Sequence, residues 1–203
     1  MSEEGKNKYL DSINILPITD EPEKKPFVCF DVNDDGMIAI GQDTLGTRKT
    51  ICIYSKEGAF QYGYTFTSYG SFGVEWDGEN LNIYFVRSSK IVLITPEGEV
   101  LDVVGVLETI ENNSYMNYLL RSKNRTVGET EYSAGNDMGV LNVLASAYSQ
   151  IGVKDDNGNE NVIYDVNSML RIKIIVITLV FGTLALITVV RVLWQFNQRR
   201  RAN

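Results

Sequence analysis

The six residues Asp31-Val32-Asn33-Asp34-Asp35-Gly36 put oxygen-bearing side chains at the first, third and fifth positions and a glycine at the sixth. That is how a loop wrapping a calcium ion begins, with Asp31, Asn33 and Asp35 as the candidate ligands. The twelfth position is Gln42, where such loops use a bidentate Glu, and Asp35-Gly36 also suits a hairpin turn. A solvated turn is therefore the favoured reading and a weak calcium site the alternative; no other cofactor is expected.

Nucleophilic and acid–base chemistry has little to draw on. The chain contains no His, which removes the commonest general base, the usual orienting member of a triad and the most frequent zinc ligand. Gly70-Ser71-Phe72-Gly73 lacks the spacing of a nucleophile elbow. The carboxylates scatter without the close pair that would suggest a glycosidase. Cys29 and Cys52 fall inside apolar, strand-like runs, where a free thiol behaves as a small hydrophobe, so they are expected unpaired in the core. Tyr54, Tyr62, Tyr64, Phe66 and Tyr69 are dense enough for a carbohydrate or peptide surface, but such faces normally pack between strands, which is the expectation here.

These residues belong to repeated elements. FVCFDVNDDGMIAIGQ followed by KTICIYSKEGAFQYGYTF is echoed by SFGVEWDGENLNIYFV followed by KIVLITPEGEVLDVVGV. Asp35-Gly36 returns as Asp77-Gly78, and Glu57-Gly58 as Glu97-Gly98, a period of about 40 residues. Each pair closes a turn between apolar runs rich in β-branched and aromatic residues, so each copy predicts four antiparallel strands. Over residues 27–106 the chain resembles the NHL-type and related six-bladed β-propellers, whose blades carry an aspartate-glycine turn after the innermost strand and a second glycine turn between the outer two. That resemblance implies a mainly β fold, a partial propeller-like array of four-stranded blades.

A third, degraded unit is predicted over residues 130–166, ending in a hairpin about Asp156-Asn157-Gly158, and residues 108–128 read as a loop or short helix. Closed propellers use about four to eight blades, so an arc this short predicts exposed apolar end faces. Their cover would be the N-terminal arm, the segment from Tyr115 to Leu120, a second copy of the chain, a protein partner or further blades. Residues 1–26 are polar and proline-bearing, an arm in which KYLDSINIL offers one short strand; residues 27–168 form the β-repeat domain.

Residues 169–195 are predicted to form a transmembrane helix, and 196–203 a basic tail. The charge-free stretch 174–190 covers roughly 26 Å of a ~30 Å hydrocarbon core at 1.5 Å per residue. Lys173 and Arg191 are placed to snorkel, Trp194 suits the interface, and Arg199, Arg200 and Arg201 can meet anionic headgroups. Thr178 and Gly182 form a small-xxx-small pair that could seat a second helix. The third unit running directly into this span is similar to the ends of membrane-anchored bacterial proteins.

Basic residues near the span slightly favour the tail in the cytoplasm, with the β domain outside. The opening MSEEGKNKYLDSINILP has no apolar stretch, which favours the opposite topology. A net charge of -7 and the lack of clustered Lys and Arg in the soluble part argue against a nucleic-acid binder. The expected partners are the lipid bilayer and a second copy or protein covering the ends of the array. The expected function is a non-enzymatic, single-pass β module presenting a binding or assembly surface at the cell envelope. The alternatives are a structural subunit of a larger membrane complex and, less favoured, a carboxylate-based glycan-active enzyme.

Overall fold

The computed structural model describes residues 2–43, 46–155 and 158–202, without the side chains of Leu193 and residues 195–202. The chain is mainly β. It opens with helix α1 (Glu3–Ile13) and strand β1 (Leu16–Ile18), then β2 (Cys29–Val32), β3 (Ile38–Asp43), β4 (Arg48–Tyr54) and β5 (Phe60–Thr67). These strands make one antiparallel sheet in the order β1-β5-β4-β3-β2. A second sheet runs in sequence order through β6 (Phe72–Asp77), β7 (Asn80–Phe85), β8 (Lys90–Ile94) and β9 (Val100–Gly105). Helix α2 (Ile110–Arg121) leads to a third sheet of β10 (Asn124–Val127), β11 (Thr130–Gly135), β12 (Gln150–Lys154) and β13 (Glu160–Asp165). Helix α3 (Asn167–Ala202) closes the chain.

The same turn recurs in each sheet. Gly36, Gly78 and Gly128 close the first hairpins, and Gly58, Gly98 and Gly158 the last, all with positive φ. At Gly58, φ is +83° and an added Cβ would lie 2.7 Å from the Ile163 carbonyl oxygen of the third sheet, so only glycine fits. The expected hairpin at Asp156-Asn157-Gly158 is described only at Gly158; Asp156 and Asn157 lie outside the described residues.

The first sheet is the middle layer. Ala39, Ile51, Ile53, Tyr64 and Phe66 face Phe72, Val74, Ile83 and Val92 of the second sheet. Alternate residues Ile38, Ile40, Cys52 and Tyr54 face Tyr132, Ala134, Ile151 and Tyr164 of the third. A strand covered on both faces needs an unbroken apolar run rather than alternation, which is why FVCF and TICIY read as they do.

Among the described residues, the expected open apolar ends are largely closed, with Val104 and Val162 left about half exposed. The far face of the second sheet is covered by α2, whose Met116 and Leu119 pack on Tyr84, Val86, Ile91 and Val106. The far face of the third sheet carries Glu131, Ser133, Gly152 and Lys154, with Glu131 opposite Lys154, and is polar enough to face water. Of the covers weighed from the sequence, the segment around Tyr115 to Leu120 performs the task. Thr109 caps this helix by accepting a hydrogen bond from the Asn112 N–H at 3.1 Å. Leu119→Ala is expected to destabilise the domain by about 2–4 kcal/mol in urea unfolding followed by fluorescence, because the cover is one helix thick.

The N-terminal arm also differs from expectation. KYLDSINIL is not a strand up to Ile13 but the end of α1, with β1 following as a fifth strand on the first sheet. Ser2 caps α1 by accepting from the Gly5 N–H, Glu3 and Glu4 favour its N-terminal dipole, and Asn14 ends it in the left-handed conformation. Tyr9, Leu10 and Ile13 then share one face that packs over the joint between the first two sheets.

Helix α3 is of another kind. It is the one helix among the described residues that is long and apolar enough to cross a membrane, over Asn167–Val192 with a mean hydropathy of 2.5. Only 6% of its most apolar window is buried against the protein. Thr183 and Thr188 donate their hydroxyls back to the Leu179 and Leu184 carbonyls, so neither needs a polar neighbour.

Candidate functional site

The antiparallel order gives the domain two distinct ends. Connections β3–β4, β5–β6, β7–β8, β9–α2 and β11–β12 share the end from which α3 leaves, hereafter the near end. The glycine hairpins form the far end. Near-end segments converge from all three sheets: Asp43, Ser71 and Ala147 line one cavity with α3, and Thr67, Tyr69, Arg87 and Ser88 line another with α1.

The two ends are chemically opposite. Outside α3, the five most exposed large hydrophobic side chains among the described residues are Val140 and Val143 (88% each), Ile110 (87%), Leu107 (77%) and Tyr69 (74%). All five are at the near end. Beside them stand Arg48, Arg87, Lys90, Arg121, Lys123, Arg171 and Lys173, against Glu108, Glu111, Asp137 and Asp165, while Lys49 is buried and paired with Asp43. The far-end turns carry Asp34, Asp35, Glu57, Asp77, Glu79, Glu97, Glu99, Glu129 and Asp155, against Lys56 and Lys154. The acidic balance of the chain therefore belongs chiefly to the end away from α3.

A 3-10 segment, Gly139–Leu144 between β11 and β12, forms the most prominent near-end feature. Met138, Leu141 and Ala145 pack on Leu170 and Ile174 of α3. Polar contacts fix the pair: the Asn167 amide accepts from Asp137 N–H and donates to the Asp137 carbonyl, both at 3.1 Å, and Arg171 donates to that carbonyl at 3.0 Å. Asn142 ties the segment internally, accepting from Met138 N–H at 3.1 Å and donating to the Asn136 carbonyl at 3.0 Å. Val140 and Val143 project outward from this braced turn.

Of the three candidate calcium ligands, Asp31 and Asn33 are each engaged by separate protein donors. Asp31 lies in β2 with its side chain 12% exposed, and Arg125 of β10, 9% exposed, donates from Nε to its Oδ1 at 2.6 Å. The Trp76 backbone N–H of β6 donates to Oδ2 at 2.8 Å. Asn33 accepts from the N–H groups of Asp35 and Met37, closing the hairpin, while Asp35 is exposed. Both Asp31 oxygens thus serve protein donors, and no group of three His, Cys, Asp or Glu is arranged for a metal among the described residues.

Asp31 is instead a hub joining the edge strands β2, β6 and β10 of the three sheets. Arg125 lies between the Phe30 and Tyr118 rings, at 5.3 and 5.4 Å from their centroids, which brings α2 into the same cluster. Burial is the largest influence on the Asp31 carboxyl and lifts it above the usual carboxylate range, against the Trp76 N–H and the Arg125 guanidinium that pull it down.

Cys29 and Cys52 are free and buried, as expected, and face opposite sides of the first sheet. Burial pushes both thiols up to about 12. Neither is expected to react with a maleimide in the native protein, a result that intact-mass measurement would show directly. Tyr54, Tyr62, Tyr64 and Phe66 are packing residues, but Tyr69 is a near-end surface residue. Ser71, dismissed as a nucleophile, lines the cavity beside α3.

Lys173 and Trp194 lie 21 residues apart on α3, roughly 32 Å at 1.5 Å per residue, close to the thickness of a hydrocarbon core. Arg191 and Trp194 are exposed on the same helix. Arg199, Arg200 and Arg201 continue it, with side chains outside the described residues. Compared with known families and curated proteins, the chain matches no family model and no curated sequence.

Proposed function

We propose that this chain is a non-enzymatic, membrane-tethered β module that α3 anchors, that sits end-on upon the bilayer, and that offers its acidic far end as a binding or assembly surface at the cell envelope. The segregation of exposed apolar and basic side chains to the end from which α3 leaves carries this reading. A leaflet surface accepts that combination: apolar tips enter the headgroup boundary while Lys and Arg meet anionic lipid. Surfaces facing bulk water rarely collect such tips. The complete lack of His supports a role without acid–base catalysis.

In this reading the three sheets are a short propeller-like arc whose ends are finished by α2 and by the polar face of the third sheet, so no partner is needed for the fold itself. The Arg-rich tail lies in the cytoplasm and the β domain outside it. Thiol accessibility tests the seating. Full-length protein carrying Val143→Cys or Glu79→Cys is placed in anionic lipid nanodiscs and treated with a hydrophilic maleimide. Residue 79 is expected to react freely and residue 143 at least about tenfold more slowly, as a group held at the headgroup boundary would. Equal rates would remove the end-on arrangement. Digestion of the β domain by protease added outside intact cells tests the orientation, and protection there would reverse it.

A further inference from the structure

A cavity of about 810 Å³ lies between α3, the segment after the 3-10 turn and the near end of the first sheet. Its volume is within the roughly 300–1,000 Å³ of small-molecule sites. We infer that it holds one anionic phospholipid, with the phosphate between Lys25 and Lys173 and an acyl chain along Leu144, Met169, Ile174 and Ile177. This rests on the end-on seating proposed above.

Three observations single out a lipid. Ile174 and Ile177 line the cavity and also belong to the apolar stretch of α3, so the cavity wall is continuous with the surface that faces hydrocarbon in an anchored protein. Ile177 is about one helical turn, roughly 6 Å, further along the span than Lys173, which places a cation at the polar end and an apolar wall below it. The charge balance then favours an anion. Lys173 has no carboxylate partner among the described residues, and Lys25 has only a 3.7 Å contact with the exposed Glu23. Asp43, the one carboxylate on the wall, is neutralised by the buried Lys49. A headgroup phosphate gives the two lysines the acceptor they lack.

Native mass spectrometry of the full-length chain in detergent, titrated with phosphatidylglycerol or with phosphatidylcholine of the same chains, tests this. One phosphatidylglycerol is expected to be retained per chain, with phosphatidylcholine held at least about tenfold more weakly, since both lipids offer a phosphate to the lysines but the choline cation of phosphatidylcholine cancels its charge and is repelled by Lys25 and Lys173. Lys25→Ala with Lys173→Ala should abolish that preference, and Ser146→Trp, which fills the cavity, should block both lipids. Thermal melting of each variant shows that it is folded. Equal retention of the two lipids, no retention, or undiminished binding by the filled variant would overturn the inference. If residue 143 remains protected in nanodiscs while no lipid is retained, the cavity assignment alone fails. Loss of protection at residue 143 defeats the seating on which it rests.

Discussion

Asp31→Ala is expected to destabilise the β domain by about 3–5 kcal/mol, the largest effect of any single substitution considered. The size follows from what remains. Arg125 stays buried between Phe30 and Tyr118 without its counter-charge, and its Nη2 has no hydrogen-bond partner among the described residues even with Asp31 present. The Trp76 N–H also loses its acceptor. Buried pairs are costly to break and much less costly to replace, so Asp31→Leu with Arg125→Met should recover all but about 1–3 kcal/mol, the cost of the orphaned Trp76 N–H. Urea unfolding of the full-length chain in detergent measures both.

The pH dependence of that penalty separates this hub from an ordinary ion pair. Because burial raises the folded-state carboxyl, Asp31 contributes most below the ordinary carboxylate value of about 3.9, and that contribution declines as pH rises through its folded value. The difference between wild type and Asp31→Ala is therefore expected to widen as pH falls from 7 towards 3. A difference that narrows would mean that pairing with Arg125, not burial, governs the group.

Ending the chain after Asn167 is expected to convert a protein that sediments wholly with membranes into a soluble, folded monomer. An apolar span approaches irreversible insertion, and no other helix among the described residues matches it. Monomeric behaviour follows because α2 and the polar third sheet already finish the array. The cut leaves a defined scar: without Leu170 and Ile174, Met138 and Leu141 lose their cover. Binding of an apolar dye should therefore rise on truncation and fall again with Met138→Ser and Leu141→Ser. Flotation and sedimentation equilibrium measure the first two outcomes, and a truncated chain that dimerises would show that a partner face exists on the sheets.

The parts of this fold written in local chemistry were legible in the sequence. Asp35-Gly36 and Asp77-Gly78 announce their hairpins because a positive φ leaves little choice of residue, and the charge-free run of α3 has no soluble reading with a polar face. The third sheet was harder, since the insertion holding Gly139–Leu144 breaks the spacing between β11 and β12, and β10 is hidden in a stretch that also contains a helix. α1 departs from the strand expected there because Tyr9, Leu10 and Ile13 suit a strand as well as a helix, and Ser2 and Asn14, which decide it, flank the segment.

The site was legible only at its span. Asp31 resembles a calcium ligand locally, and its actual partner Arg125 is 94 residues away, beyond any spacing argument. Val140, Val143, Leu107 and Tyr69 read singly as ordinary hydrophobics. They acquire meaning when the antiparallel order puts them at one end with the lysines and arginines.

Depth-dependent quenching tests the end-on seating most directly. A fluorophore at Val140→Cys or at Glu97→Cys of the full-length protein is examined in bilayers whose lipids carry a nitroxide at the headgroup or along the acyl chain. The fluorophore at residue 140 is expected to be quenched most by labels near the headgroup boundary, and that at residue 97 by neither. Equal, weak quenching at both positions would mean that the domain hangs free on α3 and that its basic, apolar end faces water.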